Sequence, residues 1–403
     1  MSRKGSIKTL LSSAFVAGAS AVRLYSAHSD GNVSSLSFDG ADGAYTLEVT
    51  ARTAECKNNP AVLTLDKDHR VVYCYDRGGS ADTTGSLTSF AISDTDGSLA
   101  SISRVQAPYG GVWAEVLTAE NGNRTYISSS YNPPAVGVFL LGDNGTVVGT
   151  GPIQTLSPTI EVTGPIADRQ DHAYVHEIII DPTNTYVLAP DLGGDRIRVY
   201  SYAPDTIVPL TELEPLRTSA GVGPRHGFFR INDAGETFFF HDGELSQHIY
   251  SYKVTYGEAG LTWENVFSAP ALGPNVTLPP NTAPASECVM TPDERFLIVS
   301  NRQVSFASSS LYQSGPSDTL STWAINEDGT LELVQNFPSG GYLPRQFSIN
   351  KAGDMIAVGH QVNQTVVIWK RDVESGKIIS EDEGGKLGEI VLTGPVVSTI
   401  WDE

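Results

Sequence analysis

Short apolar runs, broken by clusters of Asp, Asn, Gly and Pro, repeat along this chain beyond its N-terminal segment. HEIIIDPTNTYVLAPDLGGDRIRVY, residues 176–200, reads as three β-strands joined by two tight turns. The same order of apolar run, polar turn and second run rich in β-branched and aromatic residues recurs at 61–79, 114–131, 226–245, 287–303 and 346–370. Asn, Asp and Gly in these turns accept the positive φ that tight hairpins require. With residues 23–38 this makes seven units, spaced every 50 to 60 residues, and no stretch carries a helical period. Repeats of that length, each of three or four short strands, predict an all-β fold, a seven-bladed β-propeller, with a pair of β-sandwiches as the alternative. One blade cannot bury both faces of its own sheet, so the units are expected to pack around an axis and close a ring.

Antiparallel hairpins put the start of each unit's first strand and the end of its second at the same rim. Reading off those positions gives His28, Asp76 with Arg77, Tyr131, His176 with Asp191, Arg225 with Glu244, Glu287 with Asn301 and Arg302, and Arg345 with Gln361. This rim concentrates arginines, carboxylates and histidines in a chain with only 26 Lys plus Arg. Each residue has a plain reading too: a histidine ahead of an apolar run serves as a structural hydrogen-bonder, and the repeated P-R before residues 226 and 346 fits a blade-to-blade clamp as well as an anion-facing ring. Glu244 and Glu287 either neutralise the arginines or act as acid or base. The functional reading is proton transfer on an anionic or polyhydroxylated small molecule, with arginines holding a carboxylate or oxyanion and His176 as general base. His226 and His241 are expected off the pocket or beside it.

The formal charge of −20 argues against nucleic acid or an anionic membrane as partner. No G-x-S-x-G, H-E-x-x-H or Walker loop occurs, and no metal-ligand spacing links the three cysteines, so no metal or cofactor is expected. A calcium site built from Asp191, Glu244, Glu287 and Asn301 is disfavoured by Arg225, Arg302 and Arg345 at the same rim. Residues 1–21, with Arg3, Lys4 and Lys8 ahead of a short apolar run and A-S-A, have the layout of a cleavable secretory signal, leaving 22–403 as the propeller domain. Secretion, with cytoplasm as the alternative, would allow a Cys56–Cys74 disulfide across adjacent strands, a free buried Cys288, and glycans at Asn32, Asn123, Asn144, Asn275 and Asn363. A monomer is expected.

H-x-x-x-x-D-P-x-x-x-Y-V-x-x-P-D-x-G-x-D-R-I-x-x-Y at 176–200, G-P-R-H at 223–226, P-D-x-R-F-L-x-V-S-N-R at 292–302 and P-R-x-F-x-I at 344–349 resemble the seven-bladed propeller lactonase family of 6-phosphogluconolactonases and carboxy-cis,cis-muconate cyclases. The resemblance runs from about residue 22 to the end and implies a metal-independent site on the propeller axis. It implies that His176, Arg225 and Glu244 are the catalytic residues and that Arg302 contacts the substrate. His241 competes with Glu244 for the family glutamate position, because FFFHDGEL carries extra residues. Ala114 and Glu115 stand where the family often has a histidine. Arg345, Glu287, Asp191, Tyr131 and Gln361 are expected as further substrate-binding residues. The function expected is hydrolysis of a sugar-type aldonolactone, with muconate-type lactonisation or a non-catalytic binding propeller as alternatives.

Overall fold

The computed structural model describes residues 22–41, 44–79, 84–279, 281–306 and 311–403, so the expected signal segment lies outside it. Seven antiparallel sheets stand around a central axis. Blades 2 to 7 each begin with an inner strand next to the axis and run outward: Pro60–Asp66, Gly111–Thr118, Ile179–Ile180, Pro224–Ile231, Ala285–Met290 and Pro344–Ile349 are the six inner strands. Blade 1 differs. Its inner strand is Val396–Trp401, paired antiparallel with Val22–His28, so the two ends of the described chain close the ring. Residues 23–38 are therefore the second and third strands of their blade, where a complete repeat was expected.

Alternation along the strands explains the packing. Successive side chains point to opposite faces, so Phe238 and Phe240 join the core with blade 6 while Phe239 joins the one with blade 4. Val71, Tyr73 and Tyr75 likewise face blade 3, and Val72 and Cys74 face blade 1. Among the described residues seven of the apolar clusters lie between blades, one for each pair of neighbours. Each fully buried Phe or Leu contributes ~1.5–3 kcal/mol to such an interface. The polar turns are capped from within: Asp181 Oδ1 accepts the N–H of Thr185 and Tyr186, its Oδ2 that of Thr183, and Asn184 takes φ 53°.

Every inner strand carries one extra residue at the same level, where its pairing with the second strand shifts. The shifts fall between Pro60 and Val62, Gly111 and Trp113, Pro224 and Gly227, Ala285 and Cys288, and Pro344 and Gln346. They fall also between Val175 and Ile179, and beside Val397 in the closing strand. Bulges re-aim side chains, and this ring of seven turns Ala61, Val112, His176, Arg225, Glu287, Arg345 and Val397 toward the axis.

Cys56 and Cys74 form a disulfide with Cα atoms 5.9 Å apart. Cys56 lies in the connection after the outer strand of blade 1, so the bond ties a loop to blade 2 and does not cross adjacent strands as expected. Cys288 is free and buried. Asn123, Asn144, Asn275 and Asn363 are exposed and Asn32 is half-buried.

Candidate active site

The bulge ring divides the channel chemically. Blades 1 to 3 supply Val397, Ala61, Val62, Val112 and Trp113, whereas blades 4 to 7 supply His176, Arg225, His226, Glu287 and Arg345. Above this level lies a cavity of about 290 Å³ lined by Arg77, Val112, Tyr131, Arg169, His176, Glu244, Arg302 and Arg345. His176 is held by its backbone: its N–H donates to Pro190 O at 2.9 Å, and Ser129 Oγ of blade 3 donates to its carbonyl at 3.0 Å. Its Nδ1 is buried without a hydrogen-bond partner among the described residues. Burial first, then Arg225, His226, Arg345 and Arg302, push the imidazole well below the usual histidine range, so it is neutral near pH 7.

Glu244 organises the cationic wall. Its carboxylate lies 2.6 Å from Arg169 Nη2, 3.0 Å from Arg225 Nε and 3.2 Å from Arg302 Nη2. Burial would raise this carboxyl, but Arg302, Arg225 and Arg169 together bring it down to about 2. Glu244 is thus a fixed anion and a poor proton donor, which leaves it to orient arginines. Arg225 is also anchored through Nη1 to Ser286 O. Burial and Arg302 lower it, yet it remains charged opposite Glu244. Arg77 and Arg345 make no ion pair with any described carboxylate. Burial, together with Arg225, Arg77 and Arg302, brings Arg345 down to about 9, still protonated at neutral pH.

The structure brings together His176, Arg225, Glu244, Arg302, Arg345 and Tyr131, whose ring centroid is 5.8 Å from that of His176. It does not bring in Asp191 or Gln361. Asp191 is fully buried within blade 4, where Oδ1 accepts the N–H of Tyr174 and Gly194 and Oδ2 takes two bonds from Arg198. Aspartate at the end of a second strand is a brace for the backbone beside the bulge. Asp76 accepts Asn59 N–H and Asp242 accepts His226 N–H in the same way. Asp191→Asn is accordingly expected to cost ~1–3 kcal/mol of stability and to leave KM unaltered, which urea unfolding and steady-state kinetics would check. Gln361 sits past the strand Met355–His360, bonded through its N–H to Leu343 O, and is not in the cavity wall. Glu287 lies beneath the cavity, 3.5 Å from His226 Nδ1. His241 stacks between Tyr250 and Tyr252 and points its Nδ1 at Asp242 O, so Glu244 is the one that reaches the cavity. His28 is buried in blade 1 against Thr393.

Arg169 and His226 escaped the strand-end reading. Arg169 comes from the long connection between blades 3 and 4, which has no strand period, yet its guanidinium reaches both Tyr131 OH at 3.2 Å and Glu244. His226, expected beside the pocket, is in the bulge itself, buried against His176 with ring centroids 4.9 Å apart. The P-R-H sequence held the signal, since one extra residue lets two neighbours face the axis. Gly227 follows because a Cβ there would meet Phe240 O at 2.5 Å. A larger open groove of about 890 Å³ lies between blades 1 and 3, but its Asp76 is spent on backbone N–H groups and no histidine lines it.

Comparison with known proteins agrees with this fold. The family described as "Lactonase, 7-bladed beta-propeller" matches residues 20–393. A "Probable 6-phosphogluconolactonase" of Arthroderma benhamiae is 25% identical over 352 residues, covering 87% of this chain and 82% of that protein. The 6-phosphogluconolactonase of Bacillus subtilis is 23% identical, covering 86% of this chain and 93% of its own. Among solved structures, the periplasmic gluconolactonase of Pseudomonas aeruginosa is similar with a TM-score of 0.76 and 25% identity, covering 95% of this chain and 99% of that one.

Proposed function

Because this chain belongs to the lactonase family of seven-bladed β-propellers, we propose that it is a lactonase that opens a sugar-type lactone in the arginine-lined cavity. The observation that carries this reading is the pairing of a neutral, buried His176 with Arg77 and Arg345, two guanidiniums left without carboxylate partners, in one enclosed pocket. Water attacks the lactone carbonyl as His176 takes its proton. The arginines meet the oxyanion that forms and then the carboxylate of the product, which they hold more strongly than a neutral ester. Glu244 keeps Arg169, Arg225 and Arg302 in place. The same uncompensated charge favours a substrate that already bears an anionic group, and the names of the relatives, gluconolactonase and 6-phosphogluconolactonase, are in keeping with a hexonic lactone. The Cys56–Cys74 bond suits an oxidising compartment and supports export of the protein.

The test is acid release from glucono-1,5-lactone and 6-phosphoglucono-1,5-lactone, followed with a pH indicator in the presence of chelator. Hydrolysis above the spontaneous rate is expected. A rate equal to the spontaneous one for every lactone tried would leave a binding propeller instead.

A further inference from the structure

Beneath the cavity the bulge ring holds ionisable groups that the hydrolysis just described leaves unused. His226, 1% exposed, has its Nδ1 3.0 Å from Glu177 Oε1 and 3.5 Å from Glu287 Oε1. Its ring lies against His176, with centroids 4.9 Å apart at 64°, and the Trp113 ring meets it edge-on at 4.9 Å. Glu177 Oε2 accepts Gly227 N–H at 2.7 Å. Glu177 also lines a second cavity of about 330 Å³, together with Glu115, Ile179 and Phe229. Those residues stand further along the same inner strands, away from the arginines: Phe229 is three positions past His226, on the order of 10 Å at the strand rise. His176, His226 and Glu177 thus stand in a row between the two cavities.

Lactone hydrolysis forms one C–O bond from water and breaks the ring C–O bond. One water proton ends on the ring oxygen and the other on the new carboxyl, which ionises near neutral pH. Each turnover therefore leaves a proton among guanidiniums that repel it. The geometry points to His226 and Glu177 as a proton path that carries it from His176 to the opposite mouth of the channel, an inference that rests on the lactonase reading. His226 is kept neutral by burial and by Arg225, Arg345 and Arg302, so it passes a proton on and does not store it. Glu177 is raised by burial and by Glu287, so it takes the proton from His226, and its place in the wall of the lower cavity lets water there carry the proton on. The other groups facing or acting on the pair are Glu115 from blade 3, Asp242 from blade 5, Glu287 and Arg302 from blade 6 and Arg345 from blade 7.

Glu177→Gln keeps an oxygen for Gly227 N–H and removes the transferable proton. With glucono-1,5-lactone in weak buffer its kcat is expected to fall at least about ten-fold, with KM within about two-fold of the parent, and to recover as imidazole is added to carry protons through the upper cavity. The parent protein should show a bowl-shaped dependence of kcat on solvent deuterium fraction, the mark of more than one proton in flight. An unchanged kcat, a fall that imidazole does not restore, or a linear deuterium dependence in the parent would each overturn the path. The last of these needs no variant and decides the matter if Glu177→Gln does not fold. A parent protein inert toward all lactones overturns the lactonase reading first, and this inference with it.

Discussion

His176→Ala is expected to lower kcat for lactone hydrolysis by ~10²–10⁴, the usual worth of a positioned general base, and to leave KM nearly unchanged. The imidazole is the neutral nitrogen at a wall of guanidiniums, and the one carboxylate in that wall, Glu244, is tied up by Arg169, Arg225 and Arg302. The pH profile carries the same information. A base must be unprotonated to act, and burial with Arg225, His226, Arg345 and Arg302 holds His176 well below 6.5. The parent kcat/KM should therefore be flat across pH 6.5 and above on its basic-group limb and decline only at lower pH. A limb centred at the ordinary histidine value, or a variant as active as the parent in a pH-indicator assay, would remove His176 from the chemistry.

Glu244→Gln should be the most destabilising single change at the site. It leaves Arg169, Arg225 and Arg302 facing one another around an uncharged amide, and stripping one partner from a buried ion network costs ~3–5 kcal/mol. Linkage gives the sign with pH. A carboxyl at about 2 in the folded protein and near ~4.3 unfolded contributes stability that is fully present above the unfolded value and is lost as pH falls toward the folded one. The gap in urea midpoint between parent and variant should accordingly be widest at pH 5 and above and narrow on going down toward pH 2. A gap that stays constant across that range would show that the loss is steric and has little to do with charge.

The ring and the blade count were legible because each unit repeats a period-2 alternation bounded by turn residues, and every blade interface draws on that alternation. His176, Arg225, Glu244, Arg302, Arg345 and Tyr131 were legible as a group because strand ends converge once the units form a circle. What escaped notice did so for identifiable reasons. Asp191 sits at a converging position but is consumed by Arg198 and by two backbone N–H groups, and nothing in a strand pattern distinguishes a carboxylate that braces a turn from one that faces a ligand. Arg169 belongs to a connection with no period at all. His226 and Glu177 depend on a single extra residue in an inner strand, which shifts the facing of the residues around it, and bulges leave no compositional mark. Blade 1 was misread because its inner strand is supplied from the far end of the sequence.

That last feature governs when the molecule can become whole. Tyr25 and Asp402 meet at 3.3 Å across 377 positions of sequence, so during biosynthesis the earliest propeller segment has no inner neighbour until residues 396–401 leave the ribosome. Six blades can stack co-translationally, but the circle is latched only afterward. The cavity draws on blades 2 to 7, whose relative placement the latch fixes, so catalytic competence should arrive in one late step and not accumulate blade by blade.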